Sequence, residues 1–250
     1  MLSSFVPRKR IIIDTGNAID DLIGVFMALG SHETEVLAIT VPEEIKPELQ
    51  NICKIAKKDN TPILSKEEGV DFITKTLQAS QNNIYLASMG DFSTFAEVFD
   101  NNPELTDNFK QLIVSLKNIS PKANKSIFCS KERITLISDS TKDILNLSEE
   151  KLEQLNTKRT APIDYIYKAI KENFEKTGNN NFMLYNPLVI ACILKPALCS
   201  GIFCGVSLRE EEDKSYISDF SWNNNNILHI DNVNKNAFFE FLNDSLSVLF

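Results

Sequence analysis

Residues 10–41 read RIIIDTGNAIDDLIGVFMALGSHETEVLAITV. Ile11, Ile12 and Ile13 form a short β-branched run, which predicts a buried strand ending at Asp14. Thr15, Gly16, Asn17 and Ala18 follow as a tight loop. Asp20 and Asp21 then open an amphipathic helix carrying Leu22, Val25, Phe26 and Leu29, with Gly30 as its expected stop. Carboxylates in a first helical turn suit the positive end of the helix dipole. Val36 to Val41 gives a second apolar strand. Short strands joined through a helix make a parallel β-α-β unit. The expected fold class is therefore α/β: an open, mostly parallel sheet flanked by helices.

Three carboxylates, Asp14, Asp20 and Asp21, gather near the carboxyl end of the first strand, the edge on which open α/β sheets bind ligands. The residues alone leave two readings open. The acids can serve a hard cation such as Ca²⁺, which collects roughly six to eight oxygens. Alternatively, Asp20 and Asp21 cap a helix and Asp14 ends a strand in solvent.

The strand, the DTGNAIDD loop and the helix after it resemble the amino terminus of the inosine-uridine-preferring nucleoside hydrolases. That family carries a DxDPGxDD loop. On this chain its first Asp is Asp14 and its final pair is Asp20 and Asp21. Its second Asp, a Ca²⁺ ligand and general base for water in the family, falls on Gly16. A second resemblance lies in MLYNPLVIACILKPAL, residues 183–198, against the family's HDPLAVAxLxDPxL. There the His that serves the leaving base falls on Tyr185, and the Asp that binds Ca²⁺ falls on Asn186. The family's PxAEFNxxxD segment, whose Glu and Asn hold the ribose hydroxyls, is matched by residues 121–129, with Asn124 and Ser126 on those positions. After the strand at residues 112–116 the family has Met-Gly-Gly, where this chain has Lys117, Asn118 and Ile119. The similarity runs collinearly from Ile11 to Leu249 and closes on a small carboxyl-terminal hairpin and a terminal helix, residues 234–249.

The resemblance implies a single nucleoside-hydrolase-like domain over residues 1–250. Its implied site set is Asp14, Asp20 and Tyr185 as catalytic residues, Asp20, Asn124 and Ser126 for the ribose, and Asp14, Asp21 and Asn186 for Ca²⁺. Replacement of two acids at Gly16 and Asn186 removes two negative charges from a cation site. It also removes a general base, worth about 10²- to 10⁴-fold in rate. The expected function is a nucleoside-hydrolase-fold protein that has lost or reduced the family's Ca²⁺-dependent hydrolysis and binds a nucleoside, a ribose-like ligand or a partner. The alternative is an active N-ribosyl hydrolase in which Asp20 or Asp21 takes over as base. A third reading, a doubly wound protein using Asp14 and Asp21 to hold Mg²⁺ for phosphoryl chemistry, lacks a P-loop or glycine-rich fingerprint.

Composition narrows the partners. The net charge is −8 and the pI near 5.0, with no basic stripe, so nucleic-acid binding is disfavoured. No apolar run reaches membrane-spanning length. Residues 1–10 lack the apolar core of a secretory signal, which makes the cytoplasm the expected compartment. The five cysteines are scattered, as in a reducing environment, and Cys192 and Cys199 are expected to pack as small hydrophobes. Zinc is disfavoured because neither His32 nor His229 lies near a cysteine in sequence. A homo-oligomer is implied by the resemblance alone.

Overall fold

The computed structural model describes residues 7–115, 134–137, 141, 144–211, 214–221 and 227–247, with backbone alone for 206–211 and 214–221. Strand β1 (Lys9–Asp14) leads through a short loop into helix α1 (Ile19–Gly30) and returns as β2 (Thr34–Thr40). The order continues with α2 (Lys46–Ile55), β3 (Ile63–Leu64), α3 (Lys66–Gln78), β4 (Ile84–Ser88), α4 (Ser93–Asn101), β5 (Gln111–Ser115) and β6 (Ile134–Ile137). Next come β7 (Asn146–Ser148), α5 (Glu149–Asn156), α6 (Ala161–Thr177), β8 (Asn181–Met183) and α7 (Pro187–Leu194). The chain closes with β9 (Cys199–Glu211), β10 (Lys214–Ser221), β11 (Ile227–Val233) and α8 (Lys235–Ser247).

Among the described residues, nine strands form one sheet in the order β10-β9-β11-β6-β5-β4-β1-β2-β3. All pairs from β3 to β11 are parallel, and β9 pairs antiparallel with both β11 and β10. The expected α/β class and the carboxyl-terminal hairpin are thus both present. A second, two-stranded sheet pairs β7 with β8 antiparallel.

Strand alternation divides the core. Ile11 and Ile13 face α1, α2 and α5–α8, and Ile12 faces α3 and α4. Helix α1 is buried along nearly its whole length between the sheet, α7 and α8. Gly30 is the last residue of α1, not a left-handed stop: Ser31 follows in extended conformation at φ −75°. Ser148 caps α5, its hydroxyl accepting the N–H of Lys151. Among the described residues no helix is long and apolar enough to cross a membrane.

Candidate functional site

The sheet order itself points to the site. From β1 the chain builds outward through β2 and β3, then jumps back to place β4 on the opposite side of β1. The loop after β1 runs to α1 on one face, and the loop after β4 runs to α4 on the other. Between diverging loops of this kind a crevice opens at the carboxyl ends of the strands. Asp14 and Ser88 are register partners at the two strand ends that flank it. Met89 and Gly90 both donate their N–H to the Asp14 carbonyl, at 2.8 and 3.1 Å, which ties the two loops together.

Asp14 is 4% exposed, so it is not a solvated strand end. Its position two residues after Ile12 sends its side chain to the α3/α4 face. There Thr40 Oγ1 donates to Asp14 Oδ1 at 2.7 Å. Burial pushes this carboxyl up to about 6, against the hydroxyls of Thr40 and Thr94, which favour its charged form; Asp91 raises it further and Lys66 lowers it.

Asp20, Asp21 and Asn186 meet on the opposite face. Asp21 Oδ2 accepts the backbone N–H of Gly16 and of Ala18, each at 3.1 Å, and so ties down the loop that precedes its own helix. Asp21 Oδ1 accepts from Asn186 Nδ2 in a short contact. The Asn186 backbone N–H donates to Asp20 Oδ2 at 3.2 Å. Asn186 is placed for this by Pro187, which starts α7 directly behind it. The side chains of Asp20 and Asp21 are each 1% exposed and that of Asn186 is fully buried. Tyr185, next in line, is 4% exposed and belongs to the α1/α7 side of the core. Asn124, Ser126 and the segment Lys117 to Ile119 lie outside the described residues.

Among the described residues, no three His, Cys, Asp or Glu side chains converge in a way that could hold a metal ion. The acids of residues 14–21 are instead split between the two faces of the sheet. Several buried oxygens at this edge have no hydrogen-bond partner among the described residues: Asp14 Oδ2, Thr15 Oγ1, Ser88 Oγ, Ser115 Oγ and Asn186 Oδ1. Such groups are costly unless water or a ligand meets them.

Beside Asp20 a cleft of about 570 Å³ opens between the β1–α1 loop, α6 and the β7–β8 sheet. Its walls carry Asn17, Asn146, Asn173, Asn179 and Asn181, with Phe182 on the apolar side and Asp20 as the acid. The volume falls in the range of small-molecule sites. These asparagines come from five separate places in the chain: the β1–α1 loop, β7, α6, the turn after α6 and β8.

No family model matches the chain. An uncharacterized protein of Schizosaccharomyces pombe is 22% identical to it over 266 residues, covering 82% of this chain and 86% of the relative. Solved structures are more informative. A plant nucleoside hydrolase superposes with a TM-score of 0.83, covering 97% of this chain and 100% of that one, at 15% identity. The chain has the nucleoside-hydrolase fold. The inosine-uridine-preferring nucleoside hydrolase of Bacillus anthracis gives a TM-score of 0.78 over 96% of this chain and 100% of its own, at 13% identity. The purine-preferring ribonucleoside hydrolase of Gardnerella vaginalis gives 0.80 over 96% and 98%, at 16% identity. The nucleoside-hydrolase fold thus extends through the carboxyl-terminal hairpin, as the collinear resemblance implied.

Proposed function

We propose that this protein is a diverged member of the nucleoside-hydrolase family that binds a ribonucleoside or ribose-like small molecule and does not carry out Ca²⁺-dependent hydrolysis. The observation that carries this reading is the Asp21–Asn186 clasp. In the family this chain resembles, the Asn186 position supplies an acidic Ca²⁺ ligand. Here its amide donates a hydrogen bond to Asp21, and the other Asp21 oxygen accepts two backbone N–H groups. Donors fill the acceptor sites that a cation would need. Asp14 faces the other side of the sheet, and Gly16 offers no side chain. The donor set does not fit Ca²⁺, which prefers several carboxylates and roughly six to eight oxygens.

The crevice supports ligand binding. Buried oxygens of Asp14, Thr15, Ser88, Ser115 and Asn186 without a hydrogen-bond partner among the described residues leave spare acceptors along this strand edge. The adjoining asparagine cleft offers paired amide donors and acceptors with little charge, which suits a neutral ligand. The nucleosides named for the solved relatives make inosine, uridine and purine ribonucleosides the first ligands to try.

One observation favours a second reading. Asp20 lines the cleft, so a ligand seated there lies beside a carboxylate able to act as a base for water. Calorimetric titration of inosine into chelator-treated protein, with chromatographic detection of free base, separates the two. Binding without base release supports the first reading. Base release that Asp20→Asn abolishes supports the second.

A further inference from the structure

Away from the crevice, the structure brings two thiols together. Helix α7 ends at Leu194, and a 3₁₀ turn over Pro196–Leu198 doubles the chain back. Cys199, the first residue of β9, then faces Cys192 on α7, with the sulfurs 3.3 Å apart. The arrangement is held from outside. Cys199 is the register partner of Val233 in β11, and the Asn234 N–H donates to the Leu198 carbonyl at 2.8 Å. Cys192 is 5% exposed, and Cys199 is half-buried, the more accessible of the two. A sulfur–sulfur bond of about 2.05 Å requires an approach of roughly 1 Å more, within the reach of side-chain rotation.

We propose that Cys192 and Cys199 are a modification site: a dithiol that a small disulfide such as oxidised glutathione converts to an intramolecular disulfide. In the first step the Cys199 sulfur, as thiolate, attacks one sulfur of the small disulfide. A mixed disulfide forms and one small thiolate leaves. Cys192 then loses its proton, and its sulfur displaces the second small thiol from Cys199. Two protein thiols are oxidised and one small disulfide is reduced to two thiols. The roles follow from position, because the accessible sulfur attacks and the buried neighbour resolves. The hydrogen bond between the two points the same way. It lowers the Cys199 thiol from its ordinary range, and together with burial it raises that of Cys192. Disulfides that form in a reducing compartment are usually transient, and catalytic or redox-sensing. The bond would fix the far end of α7, the helix that begins directly after Asn186.

The test uses the full reduced chain carrying Cys129→Ser, which removes the cysteine outside the described residues. It is incubated folded with oxidised glutathione, its remaining thiols are alkylated, and peptides are analysed by fragmentation mass spectrometry. The expected result is loss of two hydrogens between Cys192 and Cys199, with Cys53 and Cys204 still as thiols. Adding Cys192→Ser is expected to stop the reaction at a glutathione adduct on Cys199. Adding Cys199→Ser is expected to leave Cys192 unmodified. The proposal is overturned if the folded chain forms no Cys192–Cys199 bond, or if Cys192 reacts equally fast without Cys199.

Discussion

Asn186 Nδ2 donates to Asp21 Oδ1, joining two residues 165 positions apart in the chain. The same residue's backbone N–H holds Asp20, so one asparagine secures both acids that open α1. Removing it leaves a buried carboxylate oxygen without that donor. Asn186→Ala is expected to cost about 2–4 kcal/mol in urea unfolding, the range for stripping a partner from a buried charged group. A loss below about 0.5 kcal/mol would mean that the clasp is not what holds Asp21.

Restoring the acids reverses the logic. Asn186→Asp puts a second carboxylate against Asp21 and removes the amide donor. Gly16→Asp adds a Cβ that would lie 2.9 Å from Asp21 Oδ2 and drives that oxygen off the loop N–H groups. The double variant is expected to be less stable than the parent in chelator. It is expected to regain melting temperature with added calcium, as a ligand that binds only the native state does. Thermal melts with and without millimolar calcium check this. The parent is expected to show no such dependence.

Asp14 gives a pH signature. Its folded value of about 6 lies above the ordinary 3.8, so the native state holds this proton more tightly than the unfolded chain does. Its stabilising share is fully present below pH 4 and is lost as pH rises through about 6. A shift of roughly two units corresponds to at most about 3 kcal/mol. Asp14→Asn, which mimics the protonated acid, is expected to remove this pH dependence. The difference in unfolding free energy between variant and parent then grows in the variant's favour from pH 4 to pH 7 and levels off above. A difference that stays flat over that interval would show that Asp14 does not titrate there.

In β9, Gly201 lies directly against β11. An added Cβ would run into the His229 carbonyl, which is backbone and cannot rotate away. Gly201→Ala is expected to cost about 1–3 kcal/mol, the range for overpacking, and to loosen the β9–β11 pairing. Amide hydrogen exchange across residues 199–205 and 227–233 reads the loosening directly.

The fold was legible because its signals are local and ordered. The Ile11–Ile13 run, the acids opening α1 and the Pro187 start of α7 each sit in one short stretch, and the stretches follow one another as in the resembled family. The site was less legible because its grouping depends on which face of the sheet each residue meets. Asp14, Asp20 and Asp21 look like one acidic cluster in sequence. The alternation from Ile12 sends Asp14 to the α3/α4 face, whereas Asp20 and Asp21 turn to α7. The cleft asparagines come from the β1–α1 loop, α6, β7, the turn after α6 and β8 itself, with no shared spacing to mark them. Cys192 and Cys199 read as core residues, because only the reversal at Pro196 brings them face to face.

Calcium titration of the chelator-treated parent protein by calorimetry, with and without inosine, tests the central claim most directly. The Asp21–Asn186 clasp predicts no saturable heat of calcium binding up to millimolar concentration and an inosine affinity that is the same in chelator and in calcium. Calcium binding in the micromolar range, tightened by inosine, would contradict it.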